Sequence, residues 1–162
     1  MNEKVVELLN AQVNKEFFSA YMYLGVSQYY TRQNLPGFAS WYMIQAQEEQ
    51  EHAMKFYNYL VDNDVLVELS QIIPATSDYK DPLAAAKAAD KHEHYITAEI
   101  EKIMDAAVKD KDYRTQLFLN WFITEQEEEE RNSKDMIAKI EMIGNDNKGL
   151  YMLDKELGER KG

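Results

Sequence analysis

Apolar residues recur at intervals of three and four through most of the chain, the spacing that lines them up on one stripe of a helix. Four long segments carry this pattern, over about 4–33, 38–64, 83–109 and 113–143, and a short one follows at about 150–157. Breakers separate them. Asn34-Leu35-Pro36-Gly37 closes the first segment, and Gly144-Asn145-Asp146-Asn147 closes the fourth. Asp81-Pro82 opens the third, with Asp as N-cap and Pro at the first helical position. Residues 65–82 show no sustained helical period. The short breaks near 35 and 111 each predict antiparallel neighbours. Extended at about 3.3 Å per residue, the stretch over 65–82 can cross the length of a bundle and let the second and third helices run parallel. The pattern predicts an all-α fold: one domain over 1–162, a four-helix bundle with one long crossover and a short fifth helix at its C-terminal end.

Composition sharpens this picture. The chain has 162 residues, 45% of them hydrophobic, with only six Gly and three Pro, which suits long helices around a sizeable core. Eighteen Lys and Arg against 29 Asp and Glu give a net charge of −11, a surface that repels nucleic acid and anionic membranes and favours a cation as charged partner. With no Cys, disulfide scaffolds, zinc ribbons, thiolate nucleophiles and iron–sulfur clusters are excluded. No leader-like segment opens the chain and no apolar run approaches bilayer length, so a soluble, cytoplasmic protein is expected.

Each apolar stripe is interrupted near its middle by a carboxylate. The stripes read Leu9, Val13, Glu16, Ala20, Tyr23; Phe38, Tyr42, Gln45, Glu49, Ala53, Phe56, Leu60; Ala86, Ala89, Glu93, Ile100, Met104, Ala107; and Phe118, Phe122, Glu129, Met136, Ile140. His52 follows Glu49 by three residues, and Gln126 precedes Glu129 by three. Heights agree as well: Glu93 and Glu129 each lie 18 residues from Lys111, Glu16 lies 19 before Leu35, and His52 lies 17 after it. Four carboxylates and an imidazole should meet in one layer, and no Lys or Arg shares these stripes near that layer. Unpaired carboxylates in a dry core cost several kcal/mol each, so a cation is expected among them. Hard oxygen ligands with one imidazole suit iron or manganese, with zinc as a competitor.

The segments Asn14-Lys15-Glu16, Ala46-Gln47-Glu48-Glu49-Gln50-Glu51-His52, Lys91-His92-Glu93 and Glu125-Gln126-Glu127-Glu128-Glu129 resemble those of the bacterial non-haem ferritins. So does the tail Gly149-Leu150-Tyr151-Met152-Leu153-Asp154-Lys155-Glu156-Leu157, and the likeness runs over essentially the whole chain. The resemblance implies a ferritin-like fold and a ferroxidase centre. Glu16, Glu49 and His52 would hold a first iron, and Glu93 and Glu129 a second, with Glu49 bridging and Gln126 alongside. Glu48, Glu125, Glu128 and Glu129 would form a third iron site. Tyr23 matches the tyrosine these proteins place beside the pair; two turns from Glu16 on the same face, it can equally be a plain core residue.

The activity so implied is oxidation of Fe(II) by O2 or H2O2, with Fe(III) stored as mineral inside a hollow 24-subunit homo-oligomer. No organic cofactor is required. Haem is not expected, because Gln50 stands where a bacterioferritin has its axial Met, and the fourth-helix motif ends in Glu129 rather than His. A rubredoxin-bearing peroxidase is excluded by the lack of Cys. Glu125 and Glu129 are like charges at i, i+4, unfavourable on a helix unless a cation neutralises them, whereas Glu127 and Glu130 read as solvated surface. Gln116 and Leu119 stand where animal ferritins carry the acidic residues of their three-fold channels, which leaves the route of iron into the shell open. Leu150, Leu153, Asp154 and Leu157 form a stripe on a helix too short to persist alone in water, so it must dock. Its own bundle is one partner; the resemblance favours symmetry mates at a four-fold axis.

Overall fold

The computed structural model describes residues 1–162. Helix α1 spans Glu3–Arg32, α2 Pro36–Asp62, α3 Pro82–Lys109, α4 Tyr113–Ile143 and α5 Asn147–Leu157. The fifth helix thus begins three residues before its expected start at 150, because Asp146 caps it through the Lys148 amide at 3.0 Å. Side chains also cap α1 (Asn2), α3 (Asp81, from the Ala84 amide at 2.7 Å) and α4 (Asp112, from the Thr115 amide at 3.0 Å). Helix α2 differs. Leu35 at its N-cap offers no side-chain acceptor, and Asp154 of α5 accepts from the Phe38 amide instead, at 2.9 Å.

The crossover over 63–81 runs alongside α1 in the same direction. The Asn10 side chain accepts from the Glu68 amide at 2.8 Å, and Asn14 donates to the Ser70 and Gln71 carbonyls at 3.2 and 3.1 Å. Farther along, Tyr79 meets Tyr29 edge to face, and the Tyr30 hydroxyl donates to the Pro82 carbonyl at 2.7 Å. Between these anchors the loop backbone sits so close to Gly25 that a Cβ there would fall 2.1 Å from the Thr76 carbonyl oxygen. The crossover leaves from the end of the bundle where α1 starts and delivers the chain to the end where α1 finishes. That makes α2 and α3 parallel, as the loop length implied.

Two apolar clusters fill the bundle. One gathers Tyr23, Tyr30, Phe38, Tyr42, Ala86 and Met136; the other gathers Leu9, Val13, Phe56, Ile100, Leu119 and Phe122. All four long helices pass from one cluster to the other through a buried polar layer containing Glu16, Ser19, Gln45, Glu49, His52, Glu93, Gln126 and Glu129. Leu153 and Leu157 of α5 join the first cluster, and Leu150 packs against it. The stripe of α5 thus packs on its own bundle, and the outward face of the helix carries Tyr151 and Met152, 61% and 71% exposed. No helix is long and apolar enough to cross a membrane.

Candidate metal centre

Glu16 comes from α1, Glu49 and His52 from α2, Glu93 from α3 and Glu129 from α4. All five are buried, and their ligand atoms form two groups, each mutually within 4.8 Å: Glu16, Glu49 and His52, and Glu49, Glu93 and Glu129. Glu49 belongs to both. The stripes and matched heights read from the sequence therefore converge on one place. No Lys or Arg forms an ion pair with any of the four carboxylates; the one basic partner is His52, whose Nδ1 lies 3.0 Å from Glu49 Oε2. Glu16 Oε2 is buried without any hydrogen-bond partner. An orphaned oxygen in a buried layer, beside three more carboxylates, fits a cation ligand.

Electrostatics agree. Burial, followed by the charges of Glu93, Glu16 and Glu129, pushes the Glu49 carboxyl well above its ordinary range. Burial raises Glu16 from 4.5 to about 7, against the opposing hydrogen bond from Gln12. Glu129 rises to about 9 through burial and then the charges of Glu93, Glu48 and Glu125. Glu93 is raised by burial while the hydrogen bonds from Tyr23 and Gln126 restrain it. His52 moves the other way, to about 4, through burial and then the nearby Lys55 charge. At neutral pH its imidazole is uncharged, the form that ligates metals. The carboxyl groups must release protons as a cation enters.

A ring of donors orients the ligands. The Gln12 amide donates to Glu16 Oε1 at 3.0 Å, and the Gln45 amide to Glu129 Oε2 at 2.6 Å and Glu49 Oε1 at 3.5 Å. The Tyr23 hydroxyl donates to Glu93 Oε1, so this tyrosine touches the centre through a ligand. Burial and then the charges of Glu93, Glu49 and Glu129 hold its proton on well above the ordinary range. Gln126 turns its amide nitrogen to the Glu93 side chain (3.1 Å), the Glu93 carbonyl (3.2 Å) and Thr97 (3.1 Å). Through these bonds its nitrogen end steadies Glu93. The apolar stripes do not mark Gln12 and Gln45 as donors, although each stands four residues before a buried Glu, on the same face.

The expected third site is only partly gathered. Glu125 Oε1 lies 3.8 Å from His52 Nε2, and burial, then the charges of Glu128 and Glu48, raise the Glu125 carboxyl. Glu125 is thus close enough to feel both Glu48 and Glu128, yet none of the three belongs to either ligand group. Glu128 is exposed, as is Glu127. Glu130 is half-buried and pairs with His94 Nδ1 at 2.6 Å, so it is not the freely solvated residue its place in a charge run suggested. Glu48 pairs with Arg160 at 3.1 Å. Arg160 is a basic residue near the layer that the stripes could not reveal, since it lies beyond the last helix.

Comparison with known proteins agrees with this geometry. The model of the ferritin family, described as a ferritin-like domain, matches residues 6–143. A probable bacterial non-heme ferritin-like protein of Haemophilus influenzae is 35% identical over 158 residues, covering 98% of this chain and 96% of its own. The bacterial non-heme ferritin of Staphylococcus aureus is 35% identical over 160 residues, covering 99% and 96%. Among solved structures, an open pore ferritin from the archaeon Archaeoglobus fulgidus superimposes with a TM-score of 0.98 at 38% identity, covering 99% of this chain and 98% of that one.

Proposed function

The chain belongs to the ferritin family, and on that premise we propose that it stores iron, with ferroxidase activity at the centre formed by Glu16, Glu49, His52, Glu93 and Glu129. Fe(II) is the substrate, and O2 or H2O2 the oxidant. The Fe(III) is kept as mineral inside a closed cytoplasmic shell of 24 subunits. One observation carries the reading: two ligand groups share the Glu49 carboxylate in a buried layer that has no Lys or Arg to neutralise it.

A shared carboxylate holds two Fe(II) ions close enough to act together. Each gives up one electron. O2 then takes two electrons and two protons to become H2O2, and no superoxide is released; with H2O2 as oxidant, the same two electrons and two protons yield two waters. Carboxylate ligation favours Fe(III) over Fe(II), which drives the electrons outward. Small, highly charged Fe(III) hydrolyses readily, which favours transfer to a growing oxide. Glu48, Glu125 and Glu128, with Glu129 shared, form a third site beside the pair, and Tyr23 steadies Glu93 during turnover.

Stopped-flow oxidation of Fe(II) by the assembled, metal-free protein tests this. Wild type should show a fast phase near two Fe(II) per subunit, because two ligand groups are present. Glu49→Ala should abolish that phase, since the residue serves both. Equal rates in the variant and wild type would remove the di-iron assignment. Sedimentation of wild type as a monomer at micromolar concentration would remove the shell.

A further inference from the structure

The last residues of the chain return to the metal centre. Past α5, the Arg160 guanidinium lies over the Trp41 ring, 4.3 Å from its centroid. One of its nitrogens donates to the Trp41 carbonyl and to Gln45 Oε1, both at 3.1 Å, and the other donates to Glu48 Oε1 at 3.1 Å. The side chain is only 16% exposed, and α5 before it is fastened to the start of α2 by Asp154. A guanidinium has no acceptor. Its grip on Gln45 Oε1 therefore fixes which end of the amide faces outward and leaves Nε2 to donate to Glu129 and Glu49. The same fork occupies a carboxylate oxygen of Glu48, an α2 carboxylate that faces Glu125.

We propose that Arg160 is a positioning residue that couples the C-terminal tail to the metal centre: it sets Gln45 as a donor to Glu129 and occupies the Glu48 carboxylate, which the neighbouring acidic flank would otherwise offer to a cation. The inference rests on the proposed di-metal reading. A third divalent cation at Glu48, Glu125 and Glu128 must then compete with the guanidinium for Glu48. Occupancy of that flank is restrained by the tail rather than by its acidic residues alone.

Anaerobic titration of the assembled, metal-free protein with Co(II), followed by calorimetry and by the visible d–d absorption of the bound ion, tests the coupling. Wild type should bind two ions tightly and a third more weakly. Arg160→Ala should leave the two tight ions, tighten the third by roughly tenfold, and shift the d–d band of the pair as Glu129 loses its oriented donor. Arg160→Lys keeps a charge near Glu48 but cannot form the fork. It should keep the third ion weak while still shifting the band.

Two tight ions with an unmoved third and an unmoved band in Arg160→Ala overturn the inference and leave the di-metal reading standing. Wild type that takes up no tight pair overturns both. Should Arg160→Ala fail to assemble, the Arg160→Lys band decides: identity with wild type overturns the inference.

Discussion

Glu49→Gln keeps the shape of the side chain and removes the charge shared by both ligand groups, so its effect on stability should reverse sign when metal is added. Consider first the metal-free protein at pH 8. Raising Glu16 from 4.5 to about 7 corresponds to ~3 kcal/mol against its ionised form, and burial, followed by three carboxylate neighbours, pushes Glu49 well above its ordinary range. A neutral amide at position 49 has neither a proton to take up on folding nor a charge to set beside Glu16, Glu93 and Glu129, so the cost of burying an ionisable carboxyl there disappears. Replacing buried charge by a neutral group of equal volume is commonly worth ~1–3 kcal/mol, and the variant should gain about that. With Co(II) at a hundredfold excess over its dissociation constant, each site adds ~2.7 kcal/mol to wild type, roughly 5 kcal/mol for two. In the variant each group falls from three ligands to two, and most of that increment disappears. Differential scanning calorimetry at fixed subunit concentration, with EDTA and then with Co(II), reads both effects. The variant should melt above wild type in EDTA and below it in Co(II). A variant that melts below wild type in EDTA and gains the same increment from Co(II) would refute the reasoning, because Glu49 would then be a structural residue.

Three further outcomes are expected. The raised carboxyls stabilise the metal-free protein fully below about pH 4.5 and lose that contribution as pH climbs through about 7 for Glu16 and about 9 for Glu129, whereas the contribution of lowered His52 is lost as pH falls towards about 4 and is complete and constant above about 6.5. Between pH 6.5 and 9 the melting temperature in EDTA should therefore fall, and a flat profile there would contradict the buried quartet. Asp154→Ala removes the only side-chain cap of α2 and should cost ~1–2 kcal/mol; hydrogen exchange should quicken at the Phe38 amide and through α5, and unchanged protection there would count against the clamp. Gly25→Ala drives a methyl into the Thr76 carbonyl and should cost ~1–3 kcal/mol, with faster exchange confined to the crossover and α1, and a melting temperature equal to wild type would show that the loop can yield.

Much of the bundle was legible because helical periodicity is a local property. The stripes located the helices within a few residues, and the interruption of each by one Glu at a matched height located the buried layer. What periodicity cannot carry is contact between distant segments. Arg160 meets α2 across more than a hundred residues of chain and lies outside any repeating pattern. The Leu150–Leu157 stripe required a docking surface without saying whose, and its own bundle had the free apolar face formed by Leu35, Phe38 and Ile140. Spacing placed Gln126 beside Glu93, but a primary amide has a donor end and an acceptor end, and only the Glu93 and Thr97 oxygens around it decide which faces inward. Gln12 and Gln45 were the avoidable omissions, since two Gln residues each four positions before a buried Glu is a repeated local feature.

The bond from Asp154 to the Phe38 amide closes a loop of 116 residues. A ribosome adding roughly 5–20 residues per second needs on the order of 6–20 s to supply the acceptor after the donor has been made. Throughout that interval α2 carries an open N-terminus, and the Leu35 and Phe38 surface that receives Leu153 and Leu157 is bare. The four long helices can collapse early through their hairpins, but the end of the bundle stays unfinished until the final dozen residues arrive. A nascent subunit is thereby distinguishable from a completed one by a single exposed edge.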